Sequence, residues 1–190
     1  MRRLGPRFRR YPLADRYLKG LKGIEVGGSA NNPFGLDTIN VDRYGQTDTV
    51  WKQSELELVG EILPVDVVAP GDALPFEDNS WDFVLASHVI EHFPDPVKAL
   101  LEWKRVARRY VFLMVPHRDR TMDQDREVTP VAEIMERHQT GFDHPGDHHW
   151  TVWTCESFLE MCHEIGLNVV DSEDPDKKVG NGFAVVIDAG

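Results

Sequence analysis

The stretch Gly23-Ile24-Glu25-Val26-Gly27-Gly28-Ser29-Ala30-Asn31 decides how this chain is read. Its first half is a short buried strand, and its second half is a turn of small residues. Glycine reaches positive φ without penalty, and glycine with serine lets a flat or extended ligand approach the main chain closely. The plainer reading of the same residues is a tight strand-to-helix turn. Two phosphate-cradling patterns are missing. There is no Gly-x4-Gly-Lys-Ser/Thr, and no third glycine where a dinucleotide fold puts its helix-packing glycine. ATP and NAD are therefore poor fits.

At 190 residues the chain has the size of one domain and can bury a substantial core without staples. Its 41% hydrophobic and 28% charged content are those of a soluble globular protein, and no apolar run approaches the roughly 20 residues that span a bilayer. Five arginines crowd the first ten residues, with no apolar segment behind them such as a secretory signal carries, so residues 1–20 read as a basic arm and a lid helix on a cytoplasmic protein. The rest of the chain carries −16 of the formal −11 total, which disfavours a nucleic-acid partner. Cys155 and Cys162 sit seven apart in a predicted helix, about 10 Å at 1.5 Å per residue, too far to pair. They read as core filler in a reducing compartment.

Outward from the opening stretch, Asn32-Pro33-Phe34-Gly35 reads as loop where a standard fold of this kind has a full helix. Asp37 to Asp42 is a second strand and Val65 to Ala69 a third, with a helix over Trp51 to Ile62 between them that Gly60 interrupts. Trp81 to Ser87 is nearly all apolar, as a parallel strand covered on both faces should be. Asp95-Pro96 is a capped helix start, and Tyr110 to Pro116 is the strongest strand. Thr129-Pro130 and Thr154 begin two later helices, the second stopped by Gly166. Leu167 to Val170 and Phe183 to Ile187 are a closing pair of strands. The alternation predicts a single α/β domain over residues 21–190: a Rossmann-like, doubly wound, mostly parallel seven-stranded sheet with an antiparallel last strand. In such a sheet ligands bind outside the carboxyl ends of the strands, where Glu25, Asp42, Asp72 and Ser87-His88 all fall.

These residues together resemble the class I S-adenosylmethionine-dependent methyltransferases, within their broad type 11 group. Glu25 and Gly27 match the acidic-x-Gly opening of that family's first motif, and Asp42 the acid that holds the ribose. Asp72 with Ala73 matches the pair that recognises the adenine. The segment from Ser87-His88 through Glu91-His92 matches the floor of the methionine end. The phrase Ala73-Leu74-Pro75-Phe76-Glu77-Asp78-Asn79-Ser80-Trp81-Asp82 is the most specific piece, and Ser29 and Asn31 depart from the family's usual glycines. The resemblance implies S-adenosylmethionine as cofactor, with Glu25, Gly27, Gly28, Ser29, Asp42, Asp72, Ala73, Ser87 and His88 around it. A sulfonium cation without phosphates needs no anion cradle, which agrees with the missing patterns.

Residues 117–152 read as an insertion returning over the site. It carries His117-Arg118-Asp119-Arg120-Thr121-Met122-Asp123 and Asp143-His144-Pro145-Gly146-Asp147-His148-His149-Trp150. Methyl transfer to an alcohol must remove a poorly acidic proton, and histidine is the natural base: His149, then His148, His144 and His117 are the candidates. A divalent ion is the other solution, and Asp119, Asp123 and Asp147 are the candidate ligands for Mg2+. The plain alternative is that these residues solvate a loop. His138 and His163 read as structural. The arrangement is similar to small sugar O-methyltransferases of bacterial polysaccharide synthesis, including those of mycobacterial methylmannose polysaccharide assembly. The expected partners are then a small-molecule or oligosaccharide acceptor and a second copy of the chain, with no nucleic acid and no membrane segment. Competing expectations are a catalytically silent cofactor-binding subunit, a methyltransferase for another polar small molecule, and a histidine-based metal hydrolase that leaves the adenosyl-type site unexplained.

Overall fold

The computed structural model describes residues 10–144 and 146–190. Most of the expected basic arm, and Pro145 of the insertion, lie outside the described residues. Seven strands form one sheet in the order β3-β2-β1-β4-β5-β7-β6. They are β1 (Lys22–Val26), β2 (Asp37–Asp42), β3 (Val67–Val68), β4 (Trp81–Ser87), β5 (Ala107–Pro116), β6 (Asn168–Glu173) and β7 (Gly182–Asp188). All neighbours pair in parallel except β7, which runs antiparallel to both β5 and β6. The predicted architecture is the observed one.

The sheet's core follows from the period of two along each strand. Ile24, Val26, Val84, Ala86, Val111, Leu113, Val115, Phe183, Val185 and Ile187 face one side. Helices α3 (Pro96–Val106), α4 (Val131–Thr140) and α5 (Cys155–Glu164) close it with Val97, Leu100, Trp103, Ile134, Phe158, Met161 and Cys162. Phe83, Leu85, Phe112, Met114, Ala184 and Val186 face the other side. There Tyr11, Leu13, Ala14 and Leu18, on and before α1 (Pro12–Leu18), cover them with Phe34. The expected lid helix, α1, packs on β4, β5 and β7 and not on β1. The reason is Gly23, which leaves β1 without a side chain there and lets the Phe83 ring occupy that place.

Local chemistry sets the helix ends. Asp95 caps α3 by accepting from the Lys98 amide at 2.9 Å, with Pro96 in the first turn. The same carboxylate lies 2.9 Å from His138 Nδ1 and ties α4 to α3. Thr154 and Ser157 form a reciprocal capping box on α5. As predicted, no helix follows β1, and residues 27–36 are turn and loop. No helix among the described residues is long and apolar enough to cross a membrane, and both cysteines are free.

Candidate functional site

Strand order reverses at β1 and β4, so their carboxyl ends form the topological switch point of the sheet. Gly27 leaves β1 at φ 64° with its amide donating to Val41 O at 2.8 Å, and a Cβ there would come within 2.8 Å of Val89. Gly28 donates to Asn40 Oδ1 at 2.9 Å, and a Cβ at Gly28 would meet that oxygen at 2.8 Å. Ser29 Oγ accepts from the Asn31 amide at 3.2 Å. Helix α2 (Val50–Val59) explains how the turn is held. Its inner face is charged: Lys52 and Glu55 are buried and 3.2 Å apart, with Lys52 donating to Leu63 O at 3.0 Å and Glu55 accepting from the Ala30 amide. Val50, Trp51, Leu56 and Leu58 on the same helix are exposed.

The remaining expected cofactor residues are spread along this edge. Asp42 ends β2 and accepts from the Tyr44 amide at 2.9 Å. Asp72 and Ala73 lie in the loop after β3, where Asp72 faces Lys98 at 2.7 Å. Ser87 ends β4 with its Oγ accepting from Asn32 Nδ2 at 3.3 Å, and His88 follows at φ 54°, a conformation that costs strain in any residue but glycine.

Burial pushes the Glu25 carboxyl up to about 7, against the Thr38 hydrogen bond and the charges of Lys178 and Lys52. From the ordinary glutamate value up to about 7, the unfolded chain releases a proton that folded Glu25 keeps. The folded state then binds more protons, so this contribution is complete below that window and is lost as pH rises through it. Glu25→Gln removes the slope. Relative to wild type, the variant should gain up to about 3 kcal/mol between pH 5 and pH 8, read from denaturant midpoints. A stability difference that is the same at both pH values would contradict the assignment.

Past His88, the chain makes a 3-10 turn over Ile90–His92. The Trp150 amide donates to Glu91 O at 2.8 Å, which brings the insertion onto this turn. Glu91, His92 and His149 consequently meet. Glu91 Oε1 is 3.9 Å from the Nε2 of each imidazole and 4.0 Å from His88 Nδ1. His149 Nδ1 contacts Asp123 Oδ2 at 2.5 Å, and His92 Nδ1 lies 2.9 Å from Asp147 Oδ1. Asp147 also accepts from Trp51 Nε1 at 2.5 Å. Burial raises the Glu91 carboxyl to about 8 and lowers both His88 and His92. Asp123 is held low, against its burial, by the hydrogen bonds from His149 and Arg126. The arrangement can take a proton at a carboxylate-held imidazole or gather nitrogen and oxygen donors on a cation.

Of the expected catalytic residues, His149 alone is in this cluster. His148 packs on the Trp150 ring with centroids 3.8 Å apart, and His144 on the same ring at 4.9 Å. His117 is buried and caps the 3-10 turn Arg118–Arg120, its Nδ1 accepting from the Asp119 amide at 3.1 Å. The expected magnesium ligands are not gathered together. Asp119 is mostly exposed beside Arg118, while Asp123 and Asp147 each spend an oxygen on a histidine. Among the described residues the donors that converge are instead Glu91, His92 and His149. The sequence placed Glu91 and His92 beside the methionine end but gave neither a chemical role. The spacing His88-x-x-Glu91-His92 was the available signal.

Residues 32–115 match a family model described as a methyltransferase domain. Over 97 residues the chain is 29% identical to an uncharacterized protein of Methanocaldococcus jannaschii; the match takes in 50% of this chain and 43% of that relative, so this chain spans less than half of the relative's length. An S-adenosylmethionine-dependent methyltransferase from Aquifex aeolicus superposes with a TM-score of 0.55 at 18% identity, covering 94% of this chain and 87% of that one. A Haloferax volcanii methyltransferase, solved in complex with the Trm112 methyltransferase activator, superposes with a TM-score of 0.56 at 15% identity, covering 95% and 85%. Residues 32–115 thus match a methyltransferase domain, and the solved structures share the fold of the whole chain.

Proposed function

We propose that the chain transfers the methyl group of S-adenosylmethionine to a hydroxyl of a sugar or oligosaccharide, with His149 activating that hydroxyl. One observation carries this reading: the insertion holds His149 Nδ1 on Asp123, which leaves Nε2 as a lone pair beside the segment that follows β4. That is the orientation of a general base. The acceptor oxygen attacks the methyl carbon in line with sulfur. As the O–C bond forms, the C–S bond breaks with its electron pair on sulfur, S-adenosylhomocysteine leaves, and the hydroxyl proton passes to Nε2. In this reading the turn Gly27-Gly28-Ser29, backed by Glu25, lies against the cofactor, Asp42 takes the ribose, Asp72 with Ala73 the adenine, and Ser87-His88 the methionine end.

Residues 117–152 serve as the acceptor's cover. Arg118, Arg120 and Arg126 on that segment offer hydrogen-bond donors to hydroxyls, and little apolar surface for an aromatic or lipid acceptor. The free thiols of half-buried Cys155 and buried Cys162, which burial raises to about 11 and about 12, suit a cytoplasmic setting. A second reading, a cofactor-binding subunit that serves a partner protein, draws on the exposed apolar residues of α2 and on Val68 of the edge strand β3. Transfer of labelled methyl to a panel of sugars, polar amines and phenols separates these. Sugar-dependent turnover supports the proposal; turnover only with amines or phenols, or only with a partner protein present, replaces it.

A further inference from the structure

We propose that Glu91, His92 and His149 bind a divalent transition-metal ion, zinc foremost, with a position left open for an oxygen of the acceptor. One ligand atom from each of Glu91, His92 and His149 lies within 4.8 Å of the other two, and Glu91 Oε1 is 3.9 Å from the Nε2 of both histidines. Both 3.9 Å separations are too long for hydrogen bonds. They are close to the edge of about 3.4 Å that a tetrahedral ion with bonds of 2.0–2.1 Å requires, so small side-chain rotations close the site.

The surroundings fix what these atoms present. His149 turns its Nδ1 to Asp123 in a hydrogen bond of 2.5 Å, while His92 Nδ1 stands 2.9 Å from Asp147 Oδ1 without hydrogen-bond geometry. With its proton on Nδ1, His149 presents Nε2 as a lone pair towards Glu91 Oε1. A carboxylate behind a ligating histidine, as Asp123 stands behind His149, is the arrangement that orients imidazoles on metals. Independently, Glu91 Oε2 is buried without a hydrogen-bond partner among the described residues, on a side chain 1% exposed. A cation held by Glu91 would give that side chain the partner it lacks. Two nitrogens and one oxygen suit zinc and its neighbours in the first transition row, whereas magnesium takes oxygen ligands and keeps its waters.

The ion's part in catalysis rests on the proposed methyl transfer, though its binding does not. With the ion bound, His149 Nε2 would be its ligand in place of taking the proton itself: the ion would acidify an acceptor hydroxyl at the open position, and the proton would leave to solvent.

The test is a titration of chelator-dialysed protein with Zn2+, Co2+ and Mg2+ by calorimetry, with the Co2+ absorption spectrum and a circular dichroism check of folding. One equivalent of Zn2+ should bind with a Kd of micromolar or below, Co2+ should give the visible bands of a low-coordinate site, and Mg2+ should not compete. Glu91→Gln and His92→Ala should abolish this binding, and Asp123→Asn should weaken it 10–100-fold. Folded protein that takes up no stoichiometric Zn2+, or that binds it equally well in the Glu91→Gln variant, overturns the proposal. S-adenosylmethionine binding on the same samples keeps the two readings apart. Cofactor binding without zinc binding sinks only the ion, and zinc binding without cofactor binding sinks only the methyltransferase reading.

Discussion

Replacing His149 with alanine should lower kcat by about 10²–10⁴-fold while the affinity for S-adenosylmethionine changes little. The separation follows from where the two halves of the site are built. The small-residue turn is held by Asn40, Lys52 and Glu55, none of which touches the insertion's histidine. The backbone around His149 is held without its side chain: Trp150 donates to Glu91 O at 2.8 Å, and Arg126 donates to His149 O at 2.8 Å. The loop therefore survives the substitution and only the chemistry is lost. A parallel loss of cofactor affinity would make His149 a holder of the cover, and unchanged turnover would return the cluster to a solvated loop.

Asp176→Ala should cost about 2–4 kcal/mol of stability and weaken cofactor binding as well. Asp176 is 2% exposed, in the loop between β6 and β7, and its carboxylate accepts from the amides of Lys178, Val179, Gly180 and Gly182. Four donors lose their acceptor when it is truncated. The loop it shapes delivers Lys178, whose ammonium donates to Pro33 O at 2.9 Å and lies 4.6 Å from the Phe34 ring centroid. Losing the loop thus loosens the β1–β2 connection that carries the small-residue turn. Chemical denaturation and calorimetry check both effects. A loss below about 0.5 kcal/mol, the range of ordinary surface changes, would show that the loop holds itself.

Much of this architecture is legible in the residues because the central strands bury both faces. The limits of β2 and β4 and the starts of α3 and α5 agree with the expected positions, since continuous apolar runs and side-chain caps are local signals. The errors fall where tertiary contacts overrule local pattern. The expected third strand, Val65 to Ala69, shrinks to Val67–Val68, because Asp66 uses its side chain to accept from the Asn40 amide at 2.8 Å. Strand β5 begins three residues early, as Ala107 pairs with Trp81. Helix α2 ends at Gly60, φ 78°, and turns charge inward, which no amphipathic template anticipates. In the site, the carboxyl-edge residues could be found from strand ends. The meeting of Glu91 and His92 with His149 could not, because it depends on one backbone hydrogen bond between segments nearly 60 residues apart.

In the proposed function the Gly27-Gly28-Ser29 turn and the acids along the sheet edge serve a phosphate-free adenosyl sulfonium. Calorimetric titration with S-adenosylmethionine, S-adenosylhomocysteine, NAD and ATP tests it most directly. The prediction is one site of micromolar affinity for the first two, weakened by about 1–3 kcal/mol in Asp42→Ala, and no binding of the phosphate-bearing ligands. Binding of NAD or ATP with none of S-adenosylmethionine would contradict it.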